Sequence, residues 1–167
     1  WQATGSFGGQ RVLLLSVSRD GGTLLAGTSG GAFYSLNNGG TWTAATGLPA
    51  TVNALIVGGS NARIFAGTDD RGIYRSDDGG FSWAQVNNRI PANLNVQALA
   101  TNGALVFAGS VYGVFRTSDD GATWEQINAG LTDTFATALT LSGDDLIAGT
   151  IKGGVFLEQA RGLFPDM

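Results

Sequence analysis

A few side chains in this sequence are of types that could hold or transform a ligand. Asp69, Asp70 and Arg71 stand in a row, Tyr112 lies between Gly-flanked apolar segments, and Lys152 is the single lysine. Two carboxylates, two cations and one aromatic ring suit a polar ligand of carbohydrate or peptide type, gripped by hydrogen bonds and ring stacking. Glycoside hydrolysis by a carboxylate pair is formally open to Asp69 or Asp70, but no second group is paired with either at a defined separation. A second set, Asn37, Asp78 and Asp119, looks at first like a metal or catalytic cluster. The doublets Asp77-Asp78 and Asp119-Asp120 suggest calcium, yet an EF-hand-like loop needs several spaced oxygens and a distal Glu, and neither follows. Cysteine and histidine are absent, which removes thiol nucleophiles, disulfides, imidazole bases and the usual zinc ligands. We assign no catalytic residue, no metal and no cofactor.

The second set belongs to a stretch written three times, as SLNNGGTW at 35–42, SDDGGFSW at 76–83 and TSDDGATW at 117–124. Its tryptophans fall at 83 − 42 = 41 and 124 − 83 = 41 residues, and one further step back lands on Trp1. Such a period marks a repeat architecture. The shared pattern is Ser35/Ser76/Thr117, Asn37/Asp78/Asp119, Gly39/Gly80/Gly121 and Trp42/Trp83/Trp124. It reads as a hairpin between two antiparallel strands, with the short carboxylate or amide accepting from its own turn's N–H groups and the glycine taking a positive φ. Each tryptophan can bury roughly 150–250 Å² and fasten the hairpin to the layer beneath.

These residues resemble the Asp-box, or BNR repeat, of sialidases, sortilin-type receptors, xyloglucan-cleaving glycosidases and a photosystem II assembly factor. The resemblance covers nearly the whole chain and implies a β-propeller in which the box residues are structural and lie on the outer rim. It specifies an architecture rather than an activity. The sialidase pattern is not met: residues 88–91 (NRIP) follow the second box instead of preceding the first, and Glu125 and Glu158 do not fall where the nucleophile's partner is expected. Arg75 and Arg116, at equivalent positions, loosely resemble the assembly factor's basic patch, and a side chain covering a sheet edge explains them equally well.

At 167 residues, with 43% hydrophobic and 13% charged residues and 27 glycines, the chain is one turn-rich β domain spanning 1–167. No apolar run approaches 18 residues, so membrane insertion is not expected. A net charge of −4 argues against nucleic acid, which needs a basic surface. The composition suits a secreted, periplasmic or surface-located bacterial protein.

Further signals keep the period to within one residue. Gly31, Gly72, Gly113 and Gly154 each precede an apolar pair, and Ala-Gly steps recur at 26–27, 66–67, 108–109 and 148–149. Each period therefore predicts four strands: 11–17, 23–27, 31–35 and 41–45; then 52–57, 63–67, 72–76 and 82–86; then 96–101, 105–109, 113–117 and 123–127. The fourth unit predicts 136–141, 145–149 and 154–158, then loses its box, since Ala160, Gly162 and Pro165 replace the acidic residue, glycine and tryptophan. The first strand of each unit is the most apolar and should lie innermost, and the Trp-led strand outermost. Residues 1–5 match 42–47, so the N-terminal strand is expected to complete the last sheet and leave no raw edge. The assembly would then be four blades in one chain, a homodimer sharing an eight-bladed ring, or part of a longer propeller.

In propellers of this type the ligand face is formed by the loops between second and third strands, here 28–30, 68–71, 110–112 and 150–153, and by the connections between blades at 5–10, 47–51, 87–95 and 129–135. Asp69, Asp70, Arg71, Tyr112 and Lys152 stand on the first set and vary from unit to unit. The sequence thus favours a non-enzymatic propeller that binds a protein or glycan through this face. A catalytic or substrate-positioning part of a glycoside hydrolase and a self-assembling structural module are the alternatives.

Overall fold

A computed structural model describes residues 5–19, 21–59 and 63–159. Within them the chain forms fifteen strands and no helix. The first unit contains β1 (Val12–Val17), β2 (Leu24–Thr28), β3 (Gly31–Ser35) and β4 (Thr43–Ala44). The second contains β5 (Val52–Gly58), β6 (Arg63–Thr68), β7 (Ile73–Ser76) and β8 (Ala84–Gln85). The third contains β9 (Val96–Thr101), β10 (Val106–Ser110), β11 (Gly113–Thr117) and β12 (Glu125–Gln126), and the fourth β13 (Ala136–Ser142), β14 (Asp145–Thr150) and β15 (Gly154–Glu158). Each unit is one antiparallel meander, four-stranded in the first three and three-stranded in the last among the described residues. Trp1 and the strand expected around it lie outside the described residues, as do Ala160, Gly162 and Pro165.

The period places equivalent residues on equivalent faces, and the blades then stack through those faces. First strands pack side by side, β1 on β5, β5 on β9 and β9 on β13. Three apolar layers result. Leu25, Ala32, Leu48, Val52, Tyr74 and Trp83 fill the first gap between blades. Phe65, Ile73, Ile90, Val96, Phe115 and Trp124 fill the second, and Phe107, Val114, Ala136, Leu146 and Ala148 the third. The architecture is all-β and propeller-like, four blades packed face to face in the order of the repeat.

The outer strands are shorter than expected, two residues each instead of five. The cause is competition for backbone donors. The Thr41 N–H turns back to Asn37 Oδ1 at 2.8 Å, and the Trp83 and Trp124 N–H groups reach the Thr46 and Asn88 carbonyls of the preceding connection at 3.0 and 3.3 Å. The first closes its own turn and the other two link blades, and none lengthens the ladder with the third strand.

The two end blades each leave an apolar face uncovered. On β1, Leu15 is 69% exposed, and Val12 and Val17 are also exposed. On β15, Val155 is 76% exposed and Leu157 also open. Between β13 and β1 there is no packing on the scale seen between successive first strands.

Candidate functional site

The three boxes are built alike. The Ser35, Ser76 and Thr117 hydroxyls accept from the N–H of Gly39, Gly80 and Gly121 at 2.8–2.9 Å, and each donates to the carboxylate or amide oxygen two residues on. That oxygen also accepts from the N–H of Thr41, Ser82 or Thr123. Two successive residues sit in the left-handed region, Asn38 then Gly39, Gly79 then Gly80, and Asp120 then Gly121, with φ between 55° and 98°. This explains Asn, Gly or Asp at the first position and glycine at the second. The bonds are internal to the turn, so Asn37, Asp78 and Asp119 act as turn locks.

Burial pushes the Asp78 carboxyl up, but hydrogen bonds from the Ser82 hydroxyl and N–H and from Ser76 outweigh it, leaving Asp78 below the ordinary 3.8. Asp119 is lowered against the same opposing burial by Thr123 and Thr117. A depressed folded-state pKa gives stability that is present above the unfolded value, about 3.9 for aspartate, and that is lost as pH falls through the lower folded value. Unfolding midpoints should therefore hold from neutrality to about pH 4 and drop below it. In an Asp78→Asn/Asp119→Asn double variant the acid limb should flatten; an unchanged limb would show that the boxes do not carry the titration.

The candidate ligand residues lie on hairpin loops at one end of the sheets, between second and third strands. Each loop is closed by a hydroxyl: Thr28, Thr68, Ser110 and Thr150 donate to the carbonyls of Gly31, Gly72, Gly113 and Gly154 at 2.8, 2.8, 2.9 and 3.5 Å. The loop ends are braced from the outer strands. Gln85 and Asn87 donate to the Arg71 carbonyl at 2.7 and 2.8 Å, and Gln126 and Asn128 donate to the Tyr112 carbonyl, each at 2.8 Å. Asp133 accepts from the Lys152 N–H at 2.6 Å and from Phe135 N–H, and these bonds hold its carboxyl below the usual range. The backbone is thus fixed while Asp69, Asp70, Arg71, Tyr112 and Lys152 remain exposed.

These five do not form one cluster of contacts. Asp70 and Arg71 pair loosely at 3.8 Å, and Asp69 accepts from Asn95 Nδ2 at 2.5 Å. No hydrogen bond or ion pair joins these residues to the Tyr112 or Lys152 side chain. The bond from Asn95 leads instead to residues that sequence reasoning missed. Every first strand carries a bulge at its loop-face end, at Leu13, Asn53, Gln97 and Thr137, a device that re-aims a side chain. Asn53 donates to the Val96 carbonyl at 3.1 Å, and Gln97 donates to Asn95. A polar line, Asp69–Asn95–Gln97, therefore runs from the second loop to the innermost strand of the third blade. Its signal was legible as a polar residue one place into an apolar strand, in VNALIV, VQALAT and ATALTL.

The arginines at equivalent positions do not form a free basic patch. Arg75 pairs with Asp77 at 2.8 Å and donates to the Asp120 carbonyl, while Arg116 meets Glu125 at 2.7 Å. Arg63 bridges Asp77 and Asp120, so this network ties the second blade to the third. Among the described residues no group of three or more acidic side chains could hold a metal ion.

Fold and site together define an all-β, propeller-type chain of four blades, with hydroxyl-closed hairpins and a loop face that differs from blade to blade. Neither a family model nor a curated protein matches the chain. Solved structures do. The extracellular domain of BT3049, named as a hybrid two-component system of B. thetaiotaomicron, superposes with TM-score 0.76 at 14% identity over 95% of this chain and 24% of that one. The extracellular domain of BT4673, named as a one-component system of the same organism, gives 0.70 at 16% identity over 87% and 21%. The computationally designed protein Ika4 gives 0.72 at 17% identity over 95% of this chain and 98% of that chain. The chain spans about a quarter or less of the two bacterial domains it resembles. At these identities the likeness is one of fold.

Proposed function

We propose that the chain is a non-enzymatic, extracytoplasmic ligand-binding propeller built on repeats of the Asp-box type. It takes a polar ligand of carbohydrate type on the loop face. The observation that carries this reading is the contrast on that face: four hairpins share one hydroxyl lock and differ in what they display. Tyr112 offers an exposed ring for stacking, Asp69, Asp70, Arg71 and Lys152 offer charged donors and acceptors, and Asn53, Asn95 and Gln97 add amides. Catalysis is not favoured by this layout. Asp69 is held by Asn95 and Glu125 by Arg116, while Asp78 and Asp119 are turn locks. The extracellular neighbours support the location at the level of fold.

The test is a glycan array and an immobilised peptide library, each probed with the wild-type chain and an Asp69→Ala/Tyr112→Ala variant. Carbohydrate binding that the double variant loses by tenfold or more is the expected result. Binding to peptides alone would reassign the ligand class. Binding indifferent to both substitutions would remove the loop face from consideration, and turnover of a fluorogenic sialoside or xyloglucan oligomer would overturn the non-enzymatic assignment.

A further inference from the structure

A cavity of about 170 Å³ opens beside the last blade, lined by Val114, Ile127, Leu131, Leu146, Ala148 and Phe156 among others. The repeat says what it is. The counterparts of these six are Ile73, Val86, Ile90, Val106, Ala108 and Phe115, the residues that surround Trp124 in the second apolar layer. The cavity is therefore the seat of a box tryptophan in the one unit whose box has Pro165 in that place. An apolar cavity of roughly 150 Å³ is large enough to bind a benzene ring, so the space suits an aromatic side chain.

Two further surfaces lie open on the same logic. Val155 is 76% exposed, but its counterparts Val114, Ile73 and Ala32 are at most 2% exposed because each packs on the next blade. Leu15 is 69% exposed, but of its counterparts Leu99 is buried and Leu55 and Leu139 are half-buried, and Val12 stands open where Val52 and Val96 are fully buried. The uncovered faces of the fourth and first blades are thus the two halves of an interface that the chain already makes three times internally. They do not meet within the described structure.

We propose that a second copy of this chain covers them, head to tail, with the Val12/Leu15/Val17 face of one copy on the Val155/Leu157 face of the other. Phe7 points the same way. It packs on Phe33 and Trp42 with ring centroids 5.1 and 5.3 Å apart, as Leu48, one period on, packs among Tyr74 and Trp83 in the gap between the first two blades. The first blade thus already carries its own half of such a gap. Two copies are the smallest set that covers every end face, and they make eight blades, within the roughly 4–8 usual for propellers. A heterologous contact that closes in this way leaves no edge for further growth.

Light scattering of the 167-residue chain should give the mass of two chains. Leu15→Asp and Val155→Asp variants should each fall to one chain with unchanged far-ultraviolet circular dichroism, since both side chains are exposed. Mixing the two variants should restore a two-chain species, because each keeps one intact half of the contact. A one-chain mass for the wild type at every concentration, whether the ring closes on itself or its faces await another partner, would overturn the proposal. So would a failure of the folded variants to complement, or masses extending beyond two chains.

Discussion

Truncating Trp124 to alanine will lower the unfolding free energy by roughly 3–5 kcal/mol, seen as a shift of the urea midpoint at unchanged slope. The indole is 2% exposed and lies among Ile90, Val106, Ala108 and Phe115 between the second and third blades. Its Nε1–H donates to the Val86 carbonyl at 2.8 Å. Alanine therefore opens a cavity that rigid sheets on both sides cannot collapse into, and removes the donor to that carbonyl. Trp42 is only half-buried, so Trp42→Ala should cost about half as much on simple area grounds. Equal losses at the two positions would mean that the tryptophans act through their own turns and not by stapling blades.

Gly47→Ala should be the second most damaging single change, at about 2 kcal/mol or more. Gly47 has φ 81°, and a Cβ placed there would stand 2.2 Å from the Trp83 carbonyl oxygen. That oxygen is main chain, held by the bond from the Trp83 N–H to the Thr46 carbonyl, so it cannot swing aside as a side chain would. Gly130 separates the two costs. It has φ 85° and nothing within 4 Å of a built Cβ, so Gly130→Ala carries only the left-handed penalty of roughly 1–2 kcal/mol. Equal destabilisation in the two variants would show that the close approach of the first connection to the second box contributes nothing.

The fold was legible because one period governs both turn chemistry and burial. Strands such as Gly31–Ser35, Val96–Thr101 and Gly154–Glu158 fall where the repeated Ala-Gly and Gly-apolar signals put them. The fourth strands were not legible at their true length. Whether the Thr41 or Trp83 N–H serves a ladder, a turn or the neighbouring blade depends on the three-dimensional approach of the blades. The layout of the candidate loop face was legible in part. The period marked Asp69, Asp70, Arg71, Tyr112 and Lys152 as the positions that vary, and all five are exposed on hairpin loops. Asn95 and Gln97 escaped because their importance comes from a bulge, which shifts the side-chain alternation by one residue. For Arg75 and Arg116 the sequence left two readings open, a basic patch or a side chain covering a sheet edge, because the carboxylates that meet them come from a box residue and an outer strand.

The hydroxyl that closes each loop also separates the evolution of recognition from that of stability. Between Thr68 and Gly72 the chain holds three residues, and between Ser110 and Gly113 only two, yet both pairs make the same bond. The lock therefore does not depend on the length of the tip it closes. Each tip behaves as an exchangeable cassette in a standard holder. Substitutions, or an added residue, can change what one blade displays while the other three go on displaying what they did before.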